Sequence, residues 1–343
     1  MSAGASLLRS GRLTPVQAVA TAGVGVAVAA VAFAVTPLQG RAGFLLVAYL
    51  AGTTAYLVAA GRLESRRSVV DRLAAVLMVS TVGICLLALG SVLIYTAARG
   101  VKAIDWYFFT HSMNGVGPRD DAGGVYHSIV GTLQQVLLAA LLSVPSGLLV
   151  AIYLTEYGRG RLASLVRTIV DVMVGIPSIV AGLFIYAFWV LGLNRGFSGF
   201  AAAMALSILM LPIVVRSAEE MIKLVPASLR EAAYALGVPR WRAIIRVVLP
   251  TASAGITTGV MLAVARVTGE TAPLLLTAFG FDSINNDPFS GAQSSLPLFV
   301  FNQASSAFET AVDRAWAGAL TLIAVVLLLT VAARLVTRRG RLT

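Results

Sequence analysis

Residues 231–250 read "EAAYALGVPRWRAIIRVVLP" and form a charged seam between two long apolar runs. Just upstream, Ser228 and Glu231 have the S-x-x-E spacing of a capping box, in which two side chains satisfy unpaired donors at a helix start. Leu229, Ala232, Ala233 and Leu236 recur at i, i+3, i+4 and i+7, which predicts a helix with one apolar stripe. Gly237 can take the left-handed backbone that ends such a helix, and Pro239 discourages its continuation. A second helix is expected after it, with Trp241, Ile244, Ile245 and Val248 on one side and Arg240, Arg242 and Arg246 on the other. The segment 219–250 therefore reads as a helix–turn–helix unit at a membrane surface. An amphipathic element resting on anionic lipid accounts for its charges equally well.

The membrane is implied by the rest of the chain. Of 343 residues, 58% are hydrophobic and 12% charged, whereas soluble domains carry about 25% charged residues. Apolar windows cover about 16–35, 42–60, 73–98, 128–154, 168–193, 196–215, 251–278 and 315–336. Each is near the roughly 20 residues that cross a hydrocarbon core. An all-α polytopic membrane protein with about eight spans is predicted. The first window follows Arg9 and Arg12 and is read as a retained anchor helix rather than a cleaved signal.

The net charge of +11 has no soluble domain on which to form a nucleic-acid face. With the N-terminus inside, 19 of the 26 lysines and arginines fall in cytoplasmic segments, so the positive-inside rule places both termini in the cytoplasm. The single cysteine, Cys85, excludes an internal disulfide and reads as a small core residue. His111 and His127 lack metal-ligand spacing, and no nucleophile–base constellation appears, so no metal site and no catalytic residue is expected. Residues 1–62 look like an accessory two-helix hairpin ahead of a main domain at 63–343. External loops span 99–127, with the interfacial aromatic cluster "DWYFFT", and 279–313, where "SLPLFVF" is too short to cross.

The pattern Glu231-Ala232-Ala233, Gly237, Val247, Leu249-Pro250 closely resembles the EAA motif of ATP-binding-cassette importer permeases, with valine in place of isoleucine at 247. That resemblance implies a type I importer transmembrane fold with a six-span core. It also implies that Glu231, Ala232, Ala233, Gly237, Leu249 and Pro250 belong to a coupling helix docking on an ATPase. The chain is not that ATPase. A phosphate-cradling loop needs a lysine between Gly and Ser or Thr, and the two lysines, Lys102 in "GVKAI" and Lys223 in "MIKLV", do not fit. ATP and magnesium would belong to the partner, with no cofactor in this chain. Three further stretches, at 123–157, 175–184 and "ARVTGETAPLLLTA", look like phosphate-specific importer permeases of the A-type, PstA-like kind. The partners so implied are a second permease subunit, two ATPase subunits and an extracytoplasmic phosphate-binding protein, in a plasma membrane.

Within 251–278 only Arg266 and Glu270 are charged. An arginine at a span centre costs about 2.5–3.5 kcal/mol on translocon scales, and such groups face a cavity or a partner. Four residues apart, the two can pair along a helix face. The resemblance points instead to Arg266 as a bidentate oxyanion contact and Glu270 as its regulator, with Thr268 and Thr271 beside them. Gly269 and Pro273 are expected to loosen the helix there, Pro177 and Ser178 to kink the fifth span, and Gly255 with Gly259 to permit close helix packing. Asp171 is expected to pair with Arg167, and Gln134 and Gln135 to bond between helices. One arginine discriminates weakly among tetrahedral oxyanions, so sulfate and molybdate are alternative substrates. An ion-coupled carrier using Glu270 is a further alternative, although it leaves the EAA-like loop unexplained.

Overall fold

A computed structural model describes residues 15–36 and 40–339. Arg9, Arg12 and Arg341 of the orientation argument lie outside the described residues. The regular secondary structure of the described residues is helical, with one isolated bridge, Phe279 to Gln293. Among the described residues, six helices are long and apolar enough to cross a membrane, and a bent pair adds a seventh crossing if counted as one.

The chain divides into two compact units, 1–93 and 94–343. In the first, α1 (Pro15–Val35) and α2 (Arg41–Leu63) run side by side and α3 begins at Arg66, continuing to Gly100 in the second unit. Gly25 permits the approach of α1 to α2, since a Cβ there would lie 2.4 Å from the Gly52 nitrogen. Cys85 is exposed on α3 rather than buried in a core. The apolar run around it reflects the lipid-like exterior such a helix needs, and apolarity alone cannot tell lipid from core.

The second unit continues with α4 (Trp106–Thr110), α5 (Tyr126–Ile152), α6 (Gly160–Val174) and α7 (Ser178–Ile185). It then runs through α8 (Gly199–Lys223), α9 (Ala227–Ala235), α10 (Arg240–Ala243) and α11 (Leu249–Thr268). The short α12 (Ala272–Thr277) and α13 (Leu296–Ala304) precede α14 (Glu309–Arg339). The central element is α8, whose alanines 201–203 and 205 are fully buried; such small residues let helix backbones approach in membranes. Gly255 and Gly259 do the same for α11 on α8. A Cβ at Gly255 would lie 2.1 Å from the Met221 sulfur, and one at Gly259 would lie 2.3 Å from Ser217 Oγ.

Several expectations are corrected. The capping box does not form: α9 starts at Ala227 behind Pro226, with no side-chain cap. Pro226 sets the entry, so Ser228 falls inside the first turn, where its hydroxyl is past the cap position. The helix expected after Pro239 is not separate, because α10 passes through a π-helical turn (Ile244–Val248) into α11 as one element, 240–268. That span ends at Thr268, short of the predicted 278. Asp171 pairs with Arg216, not Arg167; Arg167 reaches Glu219 on α8 instead, at 3.3 Å. Gln135 bonds to Gln293 and the Ser294 carbonyl, and Gln134 to the Asn286 carbonyl. Both glutamines hold the external loop rather than a neighbouring helix. "SLPLFVF" contributes to α13, whose Leu296, Leu298 and Phe299 are buried in the protein.

Candidate functional site

Two broken helices meet in the second unit. At the end of α6, the Gly175 and Ile176 N–H groups bond back to the Val172 and Met173 carbonyls. Pro177, extended at ψ 136°, then turns the chain, and α7 leaves at 106° to α6. The residue before a proline is biased away from helix, which explains why the break falls here. At the other break the Gly269 and Glu270 N–H groups bond to the Arg266 and Val267 carbonyls, tightening the last turn of α11. Helix α12 restarts with Pro273 in its first turn, where a missing N–H costs nothing. The two breaks are packed together: a Cβ on Gly182 of α7 would lie 2.6 Å from the Pro273 Cα.

A cavity of about 230 Å³ opens at this junction, with Arg266 and Glu270 on one wall. Ile176, Pro177 and Ser178 form a second wall, and Leu209, Pro212 and Ile213 of α8 a third. Pockets for drug-sized ligands run to roughly 300–1,000 Å³, so this space suits a small ion. Arg266 is exposed and Glu270 half-buried. Among the described residues, neither side chain has an ion pair or hydrogen bond with the protein. The anticipated pair along one helix face is absent because the break at 269–271 takes Glu270 off the helix that holds Arg266. An unpaired guanidinium offers five fixed donors, and the carboxylate offers acceptor sites only. Together they can grip a tetrahedral oxyanion and accept a hydrogen bond from its protonated form.

Not every anticipated residue joins them. Thr268 is buried and its hydroxyl donates to the Val264 carbonyl at 2.7 Å, while Thr271 begins α12 without lining the cavity. Sequence reasoning missed the α8 wall, although Pro212 inside an apolar span was a visible signal.

The second candidate region is the loop at 224–250. Gly237 sits at φ +74°, and its N–H bonds to the Tyr234 carbonyl while that of Val238 bonds to the Ala233 carbonyl. This left-handed cap closes α9 where the sequence placed it. Of the apolar stripe only Ala233 is buried; Leu236 is 83% exposed, with Leu224, Leu229 and Trp241 also exposed. Glu231 and Ala232 are exposed too. Leu249 and Pro250 form the first turn of α11, so the loop is continuous with the helix that carries Arg266 in its last turn.

Comparison with known proteins gives a consistent result. The profile of the family described as "Binding-protein-dependent transport system inner membrane component" matches residues 143–341. "Phosphate transport system permease protein PstA 1" of Mycobacterium tuberculosis is 45% identical over 287 residues, 82% of this chain and 92% of that protein. "Phosphate transport system permease protein PstA" of Yersinia pestis is 40% identical, covering 78% of this chain and 89% of that protein. Among solved structures, the inward-facing MetNI methionine ABC transporter superposes with a TM-score of 0.50 at 18% identity. It covers 63% of this chain and 94% of that one, a likeness of fold.

Proposed function

Because the chain belongs to the family of binding-protein-dependent transport system inner membrane components, we infer that it is the permease subunit of an ATP-driven phosphate importer. The observation that supports it most directly is Arg266, unpaired in a small cavity between two helix breaks. It stands at the far end of the helix that begins in the exposed loop. Phosphate would be held by the Arg266 fork, while Glu270 keeps the grip reversible by competing for the guanidinium. Glu270 would also favour an oxyanion that carries a proton, which phosphate does near neutral pH and sulfate does not.

The chain itself is a transmembrane subunit without enzymatic chemistry, working in a complex with other transporter subunits. ATP hydrolysis then belongs to two ATPase subunits, one of them docked on the apolar patch around Leu236. A second permease subunit completes the path, and an extracytoplasmic phosphate-binding protein delivers the ion. The basic loops orient both termini to the cytoplasm. Alternating access would proceed as ATPase closure moves the loop at 231–250 and, through α11, the cavity wall at Arg266. Residues 1–62 would be an accessory hairpin.

Uptake of radiolabelled phosphate and sulfate into vesicles holding the co-purified complex tests this. ATP-dependent phosphate uptake with little sulfate uptake is expected. Equal uptake of both anions overturns the substrate assignment, and uptake that survives ATP depletion overturns the mechanism.

A further inference from the structure

We propose that Arg230 and Glu156 form the rigid joint through which movement of α9 reaches the helices around the cavity. The joint is a single guanidinium tied to three elements. Nε and Nη2 of Arg230, on α9, both meet Glu156 Oε1 at 3.1 Å. Glu156 belongs to the π-helical turn Tyr153–Tyr157 that ends α5. Nη1 donates to the Val225 carbonyl at 2.6 Å and Nη2 to the Ile222 carbonyl at 2.8 Å. The Ile222 carbonyl lies in the last turn of α8 and that of Val225 just past its end, where helices leave acceptors unpaired and cations are favoured.

The Glu156 side chain is only 5% exposed and that of Arg230 20%. A buried ion pair adds little net stability, because desolvation offsets its attraction. Its effect is therefore geometric: α9 cannot rotate or slide without taking the ends of α5 and α8 with it. A second clamp extends the body to α6. Glu219 of α8, 1% exposed, accepts from Arg167 of α6 at 3.3 Å, and from Arg216 and Lys223 of α8 at 3.0 and 2.7 Å. Helices α6 and α8 supply Met173, Pro212 and Ile213 to the cavity. A push on α9 thus arrives at two cavity walls, independently of the continuous route through α11.

Arg230 and Glu156 are positioning residues in this scheme and touch neither substrate nor nucleotide. The inference rests on the reading of the chain as an ATP-driven permease. Its test measures phosphate uptake and ATP hydrolysis together in liposomes containing the whole complex. Glu156→Gln, close in shape but uncharged, should assemble and hydrolyse ATP while uptake per ATP falls about tenfold, within the usual span of site–site coupling. Arg230→Lys keeps a charge but not the fork, and should lie between it and the unaltered protein. Because Glu156 acts through Arg230, adding Glu156→Gln to Arg230→Ala should cause no further loss. Unchanged uptake per ATP in the assembled variants overturns the inference alone, as does failure of Glu156→Gln and Arg230→Lys to assemble, which assigns the pair a purely structural role. Absence of ATP-dependent uptake by the unaltered complex overturns the importer reading and this inference with it.

Discussion

Arg266 and Gly237 show what single residues contribute. Removing the Arg266 side chain takes away the only cation among the described residues that line the cavity. Arg266→Ala should lower phosphate uptake by about two orders of magnitude, the scale on which loss of one partner of a close charge contact acts, while the complex still co-purifies. Arg266→Lys keeps the charge without the planar fork, and should retain a measurable fraction of uptake in the same assay. Gly237 at φ +74° is a site where a β-carbon is strained and where proline cannot sit. Gly237→Pro also loses the N–H that bonds to the Tyr234 carbonyl. The protein should remain inserted, but pull-down of the ATPase should drop; undiminished pull-down would argue against docking at this loop.

At the scale of elements, the close approach of α7 to α12 fixes the cavity. Gly182→Leu would drive a side chain into Pro273, and overpacking of this kind costs about 1–3 kcal/mol. Lower thermal stability and reduced uptake are expected, and a normal melting temperature would show that the breaks are not packed as described. Much of this level was legible beforehand. Gly237 announced the end of α9, Gly255 and Gly259 a close helix contact, and Gly269 with Pro273 the weak point beyond Arg266. The rest was not, for identifiable reasons. Pro177 predicts a kink, but a bend of 106° depends on what α7 packs against, which local sequence does not encode. The Arg167–Asp171 spacing fits a helix pair, yet α8 presents Glu219 to the arginine and Arg216 to the aspartate, and tertiary neighbours won over local spacing. The capping box failed because Pro226 moved the helix start.

For the whole molecule, the family profile covers 143–341, wholly within the second unit. Deletion of residues 1–62 should therefore leave phosphate uptake within about twofold once expression is normalised, since no residue of the cavity or the docking loop is removed; complete loss would give the N-terminal helices an essential role. Apolar composition, loop charge and the EAA-like spacing carried the global reading, because they depend on the solvent and the partner rather than on packing detail. The uncovered leucines around Leu236 have a further meaning for the life of the protein. In the proposed orientation, a copy synthesised ahead of its partners would expose a greasy surface to the cytosol, where chaperones and proteases bind such patches. Matched synthesis of the subunits would then be a condition of survival, and the half-life of this chain in cells should lengthen when the ATPase is co-expressed. Leu236→Glu should remove that dependence while preventing capture of the ATPase.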